Sequence, residues 1–152
     1  MKPWWKIIAS LPMVLALTAC DDDAVGQDAA VAPPRVRDAA TLARGHELFE
    51  QNCARCHGAD AQGAFNWRVR QADGSFPPPP LNGTGHAWHH PRVMLHYVIR
   101  NGSPGGGNMP AWGGRLGDAE IDAIISWFQS TWPDEVYAAW WQIDQRSRQA
   151  RN

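Results

Sequence analysis

Residues 53–57 read CARCH, and no other stretch limits so sharply what this chain can become. Two thiols separated by two residues and followed at once by an imidazole suit three chemistries. A structural zinc site needs a second ligand pair at similar spacing. A redox dithiol belongs beside a strand, and a covalently held haem takes both thiols and the histidine together. The rest of the chain decides among them.

Of the three cysteines, Cys20 stands apart. Lys2 and Lys6 give a short positive start, and the apolar stretch 7–19 is too short to span a bilayer and ends on the small residue Ala19, the pattern of an export signal. The run LTAC at 17–20 resembles a bacterial lipobox, which implies cleavage before Cys20 and lipid on its sulfur. Asp21 and Asp22 then resemble an inner-membrane retention signal. An exported chain meets oxidising surroundings, yet a disulfide closing the two-residue gap between Cys53 and Cys56 would remove almost no chain entropy. Both thiols need another use.

Both lysines fall in the leader, so twelve arginines face fifteen Asp and Glu residues afterwards. That acidic balance excludes a nucleic-acid partner. Residues 20–37 carry Asp, Ala, Val, Gly and Pro without apolar periodicity and predict a flexible tether reaching roughly 20–25 Å.

Order is expected from Asp38, a helix N-cap, with Leu42, Gly45, Phe49 and Asn52 as the buried stripe of a first helix that delivers Cys53. Residues 58–85, with prolines from Pro77 to Pro80, predict loop. A second helix is expected with Pro91 at its first position and a stop at Asn101-Gly102, followed by the irregular SPGGGNMPAWGG. Ile121, Ile124, Ile125 and Phe128 mark a third helix, and residues 134–148 a fourth with Val136, Trp140 and Ile143 along one face. No stretch alternates long enough for a sheet, so the fold class is all-α. The expected divisions are a lipoprotein signal (1–19), a tether (20–37), a domain (38–132) and a C-terminal helical extension with its tail (133–152).

A domain that small builds a marginal core without a staple or cofactor. The remaining histidines, His46, His86, His89, His90 and His96, show no second ligand pair of structural zinc spacing, and no strand supports a dithiol. One covalent haem c answers both needs: thioethers from Cys53 and Cys56, His57 as proximal ligand, and a large apolar group to fill the core.

Gly45 and Phe49 before CARCH, PPLNG at 79–83, NMPAW at 108–112 and LGDAEIDAIISWF at 116–128 resemble the class I cytochromes c, in that family's order. The resemblance covers nearly all of 41–132. It implies three core helices around one haem, with Gly45 letting the first helix cross close to the third and Phe49 near Ile125 and Phe128. It further implies that the Pro79 carbonyl accepts from His57 Nδ1, that Leu81 packs on the ring, and that Met109 is the distal ligand. Met94 and the histidines of GHAWHH are the competing ligands. With both axial positions filled, the iron can only change charge.

Smaller features stay open. The histidines of HAWHH, 86–90, either face solvent, cap the following helix or reach a propionate, or else bind copper. Arg68, Arg70 and Arg92 are candidate propionate partners, and Trp67, Trp88 and Trp112 candidate crevice residues. Tyr97 either directs its hydroxyl at Met109 or simply packs. No lysine ring exists to dock a partner. Trp140 and Trp141 either seal the domain's flank or offer an apolar patch. The expected function is a monohaem carrier of single electrons between redox proteins, lipid-anchored on the periplasmic side of the bacterial inner membrane. It is expected to be a carrier, or a carrier subunit of a larger oxidoreductase, rather than an enzyme by itself, and to take no small-molecule substrate. The alternative is a haem-containing sensor or copper-handling accessory protein.

Overall fold

The computed structural model describes residues 35–36, 38–104 and 107–151; the expected leader, Cys20 and nearly all of the tether lie outside them. Among the described residues five α-helices follow in order: α1 (Ala39–Asn52), α2 (Ala54–His57), α3 (Arg92–Asn101), α4 (Asp118–Ser130) and α5 (Asp134–Gln149), with a 3₁₀ turn at Ala87–His89. No strand occurs among the described residues, as the missing alternation predicts.

The core is the seam between α1 and α4. Asp38 caps α1 by accepting from the Thr41 N–H at 2.8 Å. Gly45 then lies so close to α4 that a Cβ there would fall inside the shell of the Ala123 carbonyl. That approach lets Phe49, Ile121, Ile124, Ile125 and Phe128 interlock at 0–1% exposure. Burying each such side chain contributes about 1.5–3 kcal/mol. The predicted α1 stripe is turned slightly: Leu48 is buried, while Leu42 and Asn52 are only half-buried. Asn52 instead donates its amide to the Leu48 carbonyl at 2.8 Å, because a polar end group at the seam's rim needs a partner. Arg44 ties the seam's edge, reaching Glu47 on α1 at 2.9 Å and Glu120 on α4 at 2.6 Å.

The opposite side of α4 is held by directional polar bonds. Arg92, at the start of α3, donates Nε to Asp122 at 3.1 Å, Nη2 to the Asp122 carbonyl and Ser126 Oγ, and Nη1 to Gln129 Oε1 at 3.2 Å. Asp144 on α5 is 1% exposed and accepts from the Arg92 backbone N–H at 2.8 Å and from Arg148 Nε at 2.7 Å. A carboxylate at the positive end of α3 is favoured by the helix dipole as well. This bond also corrects the helix start: Pro91, which has no N–H to offer, is the N-cap rather than the first helical residue.

The fourth predicted helix exists; of the expected face, Trp140 is buried, Val136 packs half-buried against the core and Ile143 is half-buried, while Tyr137 and Asp144 join Trp140 as its fully buried residues. Trp140 is 3% exposed and donates Nε1 to the His90 carbonyl at 3.0 Å, and Trp141 packs half-buried against the core. The two tryptophans therefore seal the domain's own flank. Folded contacts also reach back three residues before Asp38. Arg35 donates Nη1 to the carbonyls of Gln129, Ser130 and Trp132 at the end of α4, pairs Nη2 with Asp134 at 2.9 Å and lies 4.6 Å above the Tyr137 ring. A guanidinium there satisfies carbonyls that a helix end leaves unpaired.

Candidate functional site

CARCH continues from α1 through one kink. The Cys53 N–H still donates to the Phe49 carbonyl at 2.8 Å, and the Cys53 carbonyl then accepts from His57 N–H at 2.9 Å, winding the motif into the single turn of α2. One turn is what four residues allow, and it buries Cys53 and His57 while leaving Cys56 exposed. Both thiols are free. Burial first, and the Cys56 thiol second, push the Cys53 thiol up to about 11. A thiol held so high is a weak thiolate at neutral pH, which counts against a redox dithiol.

His57 is fixed at two points. Its Nδ1 lies 2.9 Å from the Pro79 carbonyl, and its own carbonyl accepts from the Gly63 N–H at 2.7 Å. A carbonyl can only accept, so the ring proton sits on Nδ1 and the lone pair on Nε2. Burial lowers the imidazole's pKa, with the Pro79 bond opposing, so the ring is a neutral donor near pH 7. Pro79 is placed by the fold-back of the loop: Leu81 N–H donates to the Ala61 carbonyl at 2.7 Å, and the Leu81 carbonyl accepts from Trp132 Nε1 at 2.7 Å.

Met109 is held on a separate segment hung from the end of α3. Its N–H donates to Ser103 Oγ at 3.2 Å and its carbonyl accepts from the Ser103 N–H at 3.1 Å. Trp112 and Gly113 N–H close the segment onto the Ile99 and Arg100 carbonyls. Gly102, at φ +85°, makes the reversal possible and packs its Cα beside the Met109 carbonyl. Ser103 carries no periodic or motif signal; only its place just after a predicted helix stop marks it.

These residues fit a haem. Two free thiols, an imidazole with its lone pair directed away from its own anchor and a thioether form the donor set of that group. The fold also leaves Val93, Met94 and Tyr97 uncovered on one face of α3, at 42–55% exposure, where a small domain would normally bury such side chains. Met94, the competing ligand, belongs to this face. Arg92 is committed to α4 and α5, so it is withdrawn from the candidate propionate partners. Arg68 lies 4.4 Å over Trp67 and Arg70 lies 4.6 Å over Phe76. Trp112 is buried in the core.

The HAWHH histidines are engaged with aromatic rings. His86 stacks on Trp67 at 5.4 Å, His90 meets His86 edge-on at 5.5 Å, and His89 lies 3.7 Å from Trp88. Burial and the neighbouring histidines lower the pKa of both His86 and His90. Among the described residues, no three His, Cys, Asp or Glu side chains converge as a metal site. No helix of the described residues is long and apolar enough to cross a membrane.

Comparison with known proteins matches residues 40–128 to the family described as cytochrome C oxidase, cbb3-type, subunit III. The cbb3-type cytochrome c oxidase subunit CcoP of Azospirillum sp. (strain B510) is 37% identical over 90 residues, covering 59% of this chain and 28% of that protein. Cytochrome c6 of Diacronema lutheri is 30% identical over 93 residues, covering 59% of this chain and 94% of that protein. Cytochrome c-551 of Bacillus subtilis (strain 168) is 28% identical over 88 residues, covering 58% of this chain and 62% of that protein. The chain thus spans little more than a quarter of the length of the Azospirillum oxidase subunit. No solved structure matches significantly. The family match takes in α1 to α4 and stops before α5. Over that span, the chain belongs to the cytochrome c family described as cytochrome C oxidase, cbb3-type, subunit III.

Proposed function

We propose that this chain is a monohaem c-type cytochrome that passes single electrons between redox proteins and is no enzyme by itself. The observation that carries the reading is the 2.9 Å bond from His57 Nδ1 to the Pro79 carbonyl, made beside two free cysteines. A haem held here supplies an iron that gains or loses one electron without bond making. Cys53 and Cys56 are the residues that fasten it. The Pro79 carbonyl holds the His57 ring in one tautomer and strengthens Nε2 as a donor. Leu81 presents its apolar side chain to the group, and Ser103 holds the Met109 backbone at both its N–H and its carbonyl, which fixes where the thioether starts from. Held by both His57 and Met109, the iron would have no open position for oxygen or peroxide.

The leader and Cys20 extend this reading to location. Cleavage before Cys20 and lipid on its sulfur tether the 38–132 domain, with its 133–152 extension, to the periplasmic face of the inner membrane through residues 20–37.

The test is expression in a host with haem-ligation machinery. The product is expected to carry one haem per chain, to show the weak far-red absorption of sulfur ligation when ferric and to refuse carbon monoxide when ferrous. Met109→Ala is expected to remove the far-red band and admit carbon monoxide. A colourless product, or an unchanged spectrum in Met109→Ala, sinks the assignment. Cys20→Ser is expected to release the protein from the membrane fraction; continued retention would exclude the lipid anchor.

A further inference from the structure

The loop that separates His57 from Pro79 carries residues that neither the core nor the haem donors use. Phe65 is fully exposed at 107%, and Val69 is 61% exposed. Two successive turns, Trp67 N–H to the Ala64 carbonyl at 3.2 Å and Val69 N–H to the Asn66 carbonyl at 2.8 Å, bring these apolar side chains onto one short bend. Isolated exposed apolar residues need no explanation, but two on one ordered bend mark a contact surface.

The bend is ordered by its own bonds. Its base closes where Ala64 N–H meets the Pro78 carbonyl at 2.9 Å, one residue before the carbonyl that holds His57. Gln71 N–H donates to the Ser75 carbonyl at 2.8 Å, and this turn returns Phe76 beneath the Arg70 guanidinium. Arg68 lies over the Trp67 ring, which in turn stacks on His86. Both guanidiniums thus lie over rings, and Arg70 is further held by Nη1 donating to the Gly74 carbonyl, which leaves its other N–H groups for a partner. Asp73 is the one acid within residues 64–76, and its Oδ1 accepts from the Ser75 N–H at 2.9 Å and Oγ at 2.6 Å. Two arginines against one acid leave residues 64–76 net positive, on a chain whose formal charge is −1.

We propose that residues 64–76 are the docking surface for a redox protein that presents an apolar spot rimmed by carboxylates. Phe65 and Val69 fill the spot, and Arg68 and Arg70 meet the carboxylates. Planar guanidiniums match carboxylates in a fixed fork, which takes the place of a lysine ring. A protein fits better than a bilayer, because lipid-binding clusters use about four to eight basic residues and this loop has two arginines. The proposal rests on the electron-carrier reading: one electron passes from this chain to the partner's redox centre, and no bond forms or breaks.

The test uses ferrous holoprotein oxidised by membranes of the organism that makes it, followed at several salt concentrations, with benzoquinone as a neutral oxidant that needs no dock. Arg68→Glu with Arg70→Glu is expected to lower the membrane rate at low salt about tenfold and to abolish its fall with added salt. Phe65→Ser with Val69→Ser is expected to lower the rate severalfold while keeping the salt dependence. Oxidation by benzoquinone should stay unchanged in both. Variants that react with membranes like the wild type overturn the docking claim alone. Wild-type protein that benzoquinone oxidises and the membranes do not would overturn the carrier reading and the docking claim with it. Phe65-dependent sedimentation of Cys20→Ser protein with phosphatidylglycerol vesicles, or Phe65-dependent dimerisation in the ultracentrifuge, would assign the loop to lipid or to self-association and overturn the proposal too.

Discussion

Two sides of one helix, α4, are held by opposite kinds of physics. Toward α1 the contact is shape: a glycine against a backbone carbonyl, with isoleucine and phenylalanine side chains at 0–1% exposure. Toward α3 and α5 it is direction: Arg92, Asp122, Ser126, Gln129 and Asp144 joined by hydrogen bonds of 2.8–3.2 Å. The apolar side lies inside the span matched to the family, whereas α5 lies outside it. The contrast teaches how an added helix can be joined to a finished core. The first side excludes everything but a close fit, while the second accepts a new element wherever donors and acceptors meet.

The largest break in this comparison is Gly45→Val. Its side chain must displace the Ala123 backbone, so we expect a loss of about 3 kcal/mol or more, read by denaturant unfolding, with little haem incorporated. A variant that unfolds like the wild type would show that the seam is not close-packed there.

Next is Asp144→Ala, which strips the Arg92 N–H and Arg148 Nε of their acceptor and should cost about 2 kcal/mol. Asp144→Asn keeps one acceptor and should lose roughly half of that. Equal losses for the two variants would mean that charge, not hydrogen bonding, joins α5 to α3.

Gln129→Met is a finer probe. Gln129 Nε2 is buried with no partner among the described residues, although Oε1 accepts from Arg92. Losing an unsatisfied donor offsets losing one bond, so stability should change by less than about 1 kcal/mol. A larger loss would mean that the amide binds something further, such as an ordered water.

Acid should separate the loop from the core. The folded pKa values of His86 and His90 lie below the unfolded value of 6.5, so their contribution is full above that value and is lost as pH falls through the folded values. Asp38 and Glu120 are also depressed, Asp38 by its Thr41 bonds and Glu120 by the Gly117 N–H and then Arg44. Their contributions are full above the unfolded values of 3.8 and 4.5 and are lost as pH falls through the lower folded values. Hydrogen exchange near pH 5.5 is therefore expected to rise around 86–90 before it rises along α1. The reverse order would refute this ranking.

Much of the α1–α4 side was legible because periodicity reports burial directly: Ile121, Ile124, Ile125 and Phe128 are where a 3.6-residue repeat puts a core face. CARCH was legible because its chemistry is contiguous. Pro79 is otherwise; 22 residues separate it from His57, and only the family resemblance pointed to their bond. Asp144 and Arg35 escaped because charged residues read as solvated by default. The α5 face was only partly legible for the same reason: Trp140 and Val136 pack inward as expected, but no apolar pattern marks the Asp144 carboxylate as interior.

What the sequence alone determined was local: an all-α chain, the thiol-imidazole motif at the end of the first helix and the apolar stripe of α4. These follow from bonding distance and helical period, which adjacent residues carry in themselves. Only the tertiary structure decided which carbonyl anchors His57, which carboxylate caps α3, and that Phe65 and Val69 are left outside. Each depends on residues far apart in the chain meeting, or failing to meet, and no local pattern encodes that encounter.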